Sequence, residues 1–222
     1  MSEFFLELFS EEIPPKLQTN AREKLFSELN NFFEENNIKI KGSAKCFSTP
    51  NRIVINFSNI SKDTIKNSEE IKGPSVNAKS EALEGFLKSH NINKSQATPK
   101  STEKGEFFFY TKPKQKLMTH DLLKKNLPLI LDKINWKKSM KWGTNQMFWG
   151  RPLKSILAVF NEKKIEFDFH HLKSSNCTFI DKDFEEKTKN FNNFKSYQTY
   201  FKSIKIIVDQ NKRKDFIINE LN

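Results

Sequence analysis

Cysteine is almost missing from this sequence: Cys46 and Cys177 are the two in 222 residues. They stand far apart with no Cys or His neighbour at zinc spacing, so neither a disulfide scaffold nor a structural zinc site is expected. Glycine (6) and proline (8) are also scarce, which excludes collagen-like and flexible-linker chains. Neither the Gly-x-Gly-x-x-Gly fingerprint nor a Walker-type Gly-rich loop occurs, so nucleotide binding by those routes is excluded. No stretch approaches the roughly 18 uninterrupted apolar residues of a membrane span. Residues 1 to 7 lack the basic-then-apolar order of a secretory signal. A soluble, non-exported protein without membrane association is expected, with the cytoplasm as its default location. Histidine is rare as well. His170 and His171 are adjacent, so on a strand they point to opposite faces and do not close on one ion. His90 and His120 have no matched Asp or nucleophile. No catalytic, cofactor-binding or metal-ligating residue emerges.

What is abundant is lysine. Thirty-eight Lys plus Arg against twenty-seven Asp plus Glu give a net charge of +11, and 34 of the 38 are Lys. Lys, Asn, Ile and Phe together make 98 of the 222 residues, and all four have A/T-rich codons, so base composition explains much of the surplus. Arg, whose planar fork matches two phosphate oxygens, would be expected in an evolved polyanion site. A solvated basic surface and a functional one therefore both stay open. With 36% apolar residues the chain can build a core, in one or two domains.

Residues 3 to 9 read as a strand, and Pro14-Pro15 opens a helix, since Pro at a first helical turn forfeits no hydrogen bond. Leu17, Ala21, Leu25, Leu29 and Phe32 then share one helical face up to about Asn36. Residues 44 to 60 read as two strands broken at Thr49-Pro50-Asn51. A Gly73-Pro74 break precedes a short amphipathic helix carrying Ala82, Leu83, Phe86 and Leu87. Glu103-Lys104-Gly105 is a hairpin turn into the aromatic strand Phe107, Phe108, Phe109 and Tyr110, for which burial on both faces is favoured over base stacking. Thr119 caps a helix in which Pro128 predicts a break. Residues 153 to 160 and 165 to 170 form the clearest hairpin, with Ile165, Phe167 and Phe169 inward. Residues 173 to 193 read as polar and irregular. A helix near 194 to 203, a strand over 205 to 208, and a last helix capped by Asp209 and burying Phe216 or Ile217 with Leu221 complete the chain. The end of the chain on that helix predicts a piece of something longer.

The segment Trp136 to Gly143 is too charged and too short for core, and a surface role competes with simple packing of Lys on Trp.

In order along the chain, separate segments resemble one family, the beta subunit of the bacterial heterotetrameric glycine–tRNA ligase. They are Phe5 to Lys16 with its Glu-Glu-Ile-Pro-Pro run, Cys46 to Ile53, Lys72-Gly73-Pro74, and Thr102 to Glu106. Lys138 to Gly143 with Arg151-Pro152-Leu153 follow, and then Leu172-Lys173-Ser174. Departures from the family pattern are Asn51 in place of an Arg, Lys154-Ser155 in place of a basic-aromatic pair, and Asn176 to Ile180 where a Gly-His-Arg run is usual. The resemblance implies ATP-dependent charging of tRNA(Gly), with ATP and the glycine adenylate on the alpha subunit. This chain would hold tRNA and join alpha in a heterotetramer, and would not catalyse alone. It also implies a considerably longer subunit with downstream HD-like and anticodon-binding domains.

The expected fold is α+β, with small mixed or antiparallel sheets flanked by helices and a likeness to substrate-side domains of the phenylalanyl-tRNA synthetase beta subunit. Residues 1–60 are expected to form a strand-helix-strand unit, 61–193 a central α+β region, and 194–222 the start of a further segment. Lys138, Lys141, Trp142 and Arg151 are the candidate surface, facing either tRNA or the alpha subunit, because they bracket a Gly/Pro-marked break between patterned elements. The alternative function is a free-standing Lys-rich RNA-binding module without a ligase role.

Overall fold

A computed structural model describes residues 2–144, 146–180 and 187–221 of the chain. In chain order its elements are β1 (Glu3–Ser10), α1 (Pro15–Glu35), β2 (Ala44–Thr49), β3 (Arg52–Ser58), β4 (Asp63–Lys66), β5 (Glu69–Ser75), α2 (Ser80–His90), β6 (Ala97–Thr102), β7 (Gly105–Lys112), β8 (Gln115–Met118) and α3 (Thr119–Asp132). Then come β9 (Leu153–Phe160), β10 (Lys163–Lys164), β11 (Asp168–Phe169), β12 (Leu172–Lys173), β13 (Cys177–Phe179), β14 (Thr188–Asn190), α4 (Phe194–Ser203) and α5 (Gln210–Leu221). The class is α+β, with small antiparallel sheets and helices, as the sequence indicates. Contacts divide the chain into two compact units, 1–64 with 118–222, and 65–117.

The larger unit is organised by a five-stranded sheet in the order β10-β9-β1-β3-β2. β1 lies inside it, antiparallel to β3 on one side and to β9 on the other. Side chains alternate across a strand, and β1 uses both faces. Phe4, Leu6 and Leu8 join Ile53, Ile55 and Phe57 under α1 and α3, whose inward residues include Leu25, Leu29, Phe33, Leu123, Leu127 and Leu131. Phe5 joins Val54, Leu157 and Val159 beneath Phe194, Tyr197 and Phe201 of α4. Fully burying each such Leu or Phe contributes about 1.5–3 kcal/mol, which is why a sheet with helices on both faces holds this chain.

Local signals are mostly honoured. Pro15 opens α1, and Asn37 beyond its end takes the left-handed conformation (φ 54). The two-residue turn between β9 and β10, Asn161-Glu162, has positive φ at both positions, the geometry that matches strand twist in tight hairpins.

Several expectations are corrected. Gly73-Pro74 lies within β5, where the register with β7 shifts between Lys72 and Ser75, so the pair marks a bulge and not a break. α3 runs through Pro128 without ending, because Leu123 and Leu127 before it and Ile130 and Leu131 after it are all buried on one face. After β10, the segment to residue 170 keeps Ile165, Phe167 and Phe169 buried, but only its start continues the ladder on β9, and β11 turns to pair β12. Residues 173–193 are not irregular throughout, since β13 pairs β14; residues 181–186 of that stretch lie outside the described ones. Residues 205–208 form no strand, although Val208 is buried. Asp209 does cap α5, accepting from the amide of Asn211. Yet α5 buries none of its side chains, and Leu221 is 81% exposed.

Candidate functional site

The segment joining α3 to β9 carries the predicted surface. Its ends are locked by aromatic packing: Trp136 and Trp149 are buried with ring centroids 5.1 Å apart, and Met147 is buried beside them in the same core. Gly150 lies against the Trp136 ring, where an added Cβ would come within 2.3–2.8 Å of ring atoms. Only glycine fits this close approach. The backbone then closes on itself, with the Met140 amide donating to the Trp149 carbonyl (2.8 Å) and the Trp149 amide to the Met140 carbonyl (3.2 Å). Burial of Trp136 corrects the expectation that the Trp136–Gly143 run is too charged and too short for core. The charge density misled, because the lysines are carried on the outside of a loop whose tryptophans point in.

From this anchor Lys137, Lys138, Met140 and Lys141 face solvent. Lys141 Nζ donates to Gln146 Oε1 at 2.9 Å and lies 4.5 Å from the centre of the Phe148 ring, itself 61% exposed. Trp142 is half-buried, its indole edge-on to His171 at 5.7 Å. Arg151 is half-buried and donates from Nη1 to the Gly150 carbonyl. The four predicted residues therefore share one anchored loop rather than one hydrogen-bonded cluster. Lys138 and Lys141 are displayed, while Trp142 and Arg151 belong to its base.

A second constellation was not anticipated. Glu7 of β1 is wholly buried, and Arg52 of β3 holds it through Nε at 3.0 Å from Oε1. Thr178 of β13 donates to the same oxygen at 2.9 Å, and Arg52 Nη2 donates to the Phe179 carbonyl. The guanidinium is sandwiched between Phe9 (4.5 Å) and Phe201 (4.7 Å). Burial pushes the Glu7 carboxyl above its ordinary value, opposed by Arg52 and by the Thr178 and Tyr197 hydroxyls. Burial, with Glu7 next to it, pushes the Tyr197 phenol well above its own ordinary value. Being closed to solvent, the quartet offers no acid or base to a substrate; it ties β1, β3, β13 and α4 together. A signal for it existed: a carboxylate inside the apolar run 3 to 9, and one of only four arginines in the chain. Ser174 has a like role, its buried hydroxyl donating to the Ile165 carbonyl and accepting from the Phe167 amide.

Among the described residues no three His, Cys, Asp or Glu side chains are grouped to hold a metal ion, and no helix is long and apolar enough to cross a membrane.

Comparison with known proteins gives these positions a context. The family model described as glycyl-tRNA synthetase beta subunit matches residues 4–222. The glycine–tRNA ligase beta subunit of Rickettsia bellii (strain OSU 85-389) is 35% identical over 221 residues, all of this chain and 33% of the relative. Those of Rickettsia peacockii (strain Rustic) and Rickettsia typhi (strain ATCC VR-144 / Wilmington) are 34% and 35% identical over 217 residues, 98% of this chain and 32% of each relative. The chain thus spans about a third of the length of the curated relatives it matches. It belongs to the glycyl-tRNA synthetase beta subunit family.

Proposed function

We propose that this chain is the N-terminal portion of a glycine–tRNA ligase beta subunit. It serves the ATP-dependent attachment of glycine to tRNA(Gly) by holding tRNA and assembling with the alpha subunit in a cytoplasmic heterotetramer. ATP and the glycine adenylate belong to the alpha subunit in this reading. The buried Glu7–Arg52 pair supports the division of labour, since the Glu7 carboxyl, raised by burial, is sealed inside the fold.

The observation that carries the proposal is the anchored loop. Trp136, Trp149 and Gly150 fix its base, so Lys138 and Lys141 are presented at defined positions instead of on a free coil. Cations fixed in this way displace counterions from a phosphate backbone at little further cost in ordering. Trp142 and Arg151 are positioning residues for that display.

The test is Lys138→Glu with Lys141→Glu in a reconstituted alpha/beta complex. Both side chains are exposed, so the fold should persist. Loss of tRNA retention, with a log–log salt slope shallower by up to about 1.8, supports tRNA as the ligand of this loop. Loss of alpha co-elution instead assigns the loop to the subunit interface. Retention and assembly both unchanged at moderate salt defeat the proposal for these residues.

A further inference from the structure

The three-stranded sheet β5-β7-β6 of the 65–117 unit has two unlike faces. Residues directly opposite across an antiparallel ladder share a face. Phe107 therefore stands with Lys100 and Ser75, Phe109 with Lys72 and Thr98, and Thr111 with Glu70. The reverse face carries Phe108, Tyr110, Ile71 and Ala97 and is the one that α2 covers. The Phe86 ring lies against Gly73, 2.9 Å from where its Cβ would be, and His90 packs 6.2 Å from Tyr110. On the first face Glu70, Lys72, Thr98, Lys100 and Thr111 are exposed. Phe107 and Phe109 are half-buried beneath the lysines: Lys72 Nζ lies 3.5 Å from the Phe107 ring centre and Lys100 Nζ 5.7 Å from that of Phe109.

We propose that this face is a stacking surface for unpaired nucleotides of tRNA, with Phe107 and Phe109 taking bases and Lys72 and Lys100 the phosphates beside them. Two aromatic rings at i and i+2 of one strand stand roughly 6.6 Å apart, a stride comparable with that of successive nucleotides in an extended single strand. Aromatic faces accept any base, and cations alongside neutralise the backbone, which is the chemistry of single-strand platforms. A protein helix would want aliphatic surroundings here; what surrounds the rings is lysine and threonine. The unit carries ten Lys, six Glu and neither Asp nor Arg, a net +4, so its field favours a polyanion. Glu70 opposes it by pairing with Lys100, and that pair opens when phosphate takes the ammonium. The proposal rests on the reading that this chain engages tRNA.

The experiment measures binding of a short labelled oligouridine and of a tRNA(Gly) transcript to the whole chain by fluorescence anisotropy at several salt concentrations. Phe107→Leu/Phe109→Leu keeps apolar cover but removes the rings; it should weaken oligouridine binding at least about tenfold, with thermal unfolding unchanged. Lys72→Gln/Lys100→Gln should reduce the salt slope by about 1.4, and Glu70→Gln should tighten binding. If the Leu pair binds both RNAs as the parent does, the face is not a platform; where Lys138→Glu/Lys141→Glu still loses tRNA, the reading of the chain as a tRNA holder survives that result. If the parent binds neither RNA, both ideas fall. Photocrosslinks from position 107 to the alpha subunit rather than to RNA would also overturn it.

Discussion

Replacing Arg52 with Met keeps most of the side-chain volume between Phe9 and Phe201 but leaves the Glu7 carboxylate without its cation. Glu7 is 0% exposed, so it cannot recover hydration and must either stay charged in a poor environment or take a proton. Breaking such a pair usually costs about 3–5 kcal/mol. Protonation sets a ceiling. From an ordinary Glu pKa of about 4.3, neutralising the group costs about 3.7 kcal/mol at pH 7 and about 1.4 kcal/mol more for each further pH unit. The parent already bears part of this, because burial raises Glu7 despite Arg52. A carboxyl with a raised folded pKa contributes stability that is complete below its unfolded value and is lost as pH rises through its folded value. Removing Arg52 lifts that folded value further, so the loss continues to higher pH. The difference between parent and Arg52→Met should therefore grow by up to about 1.4 kcal/mol between pH 7 and pH 8. A pH-independent part of about 1 kcal/mol comes from the Phe179 carbonyl, which loses its donor. Urea unfolding of the whole chain at pH 6, 7 and 8 measures this, with Glu7→Gln/Arg52→Met as the control whose deficit should stay flat. A single-variant deficit that is also flat would refute this reasoning: Glu7 would then keep the same protonation state in parent and variant across this range.

Other outcomes follow from neighbouring features. Tyr197, its phenol held well above the ordinary value of 10.0 by burial and by Glu7, should cost the fold stability as pH rises beyond that ordinary value; in Tyr197→Phe the alkaline limb of the stability–pH curve becomes shallower. Glu28 is held below its ordinary value by hydrogen bonds from Lys24 (2.6 Å) and Lys133 (3.0 Å). The stability it adds is present above 4.5 and fades as pH falls through its lowered value, so Glu28→Gln should lower stability at neutral pH, flatten the acid limb and converge with the parent at low pH. Gly150→Ala should force the Trp136 ring aside at a cost of about 1–3 kcal/mol, seen as a lower urea midpoint together with red-shifted tryptophan emission.

Periodicity made α1 and the β2–β3 hairpin readable, since Leu17 to Phe32 and Arg52 to Phe57 each satisfy one local rule. Pairing across long separations had no such signal. Nothing near Leu153 says that β9 will lie beside β1, yet that partnership makes residues 1–64 and 118–222 one unit. Pro128 and Gly73-Pro74 misled because their local preference was overridden by a buried helix face in one case and absorbed as a bulge in the other. The candidate loop was legible as a lysine–tryptophan run, but its inside and outside were not. Composition cannot tell Trp136, pinned under Gly150, from Trp142 at the rim. Glu7 and Arg52 were visible only as members of separate motifs; their meeting is tertiary.

The place of β1 between β3 and β9 has a consequence for synthesis. As the polypeptide leaves the ribosome, β1, α1 and β3 can associate at once, but the other edge of β1 waits until Leu153–Phe160 has been translated. Throughout that interval a strand of Phe4, Phe5, Leu6, Leu8 and Phe9 offers unpaired amides and carbonyls to any neighbour, the arrangement most prone to intermolecular pairing. Nascent chains of this protein should therefore be clients of a holding chaperone until β9 emerges.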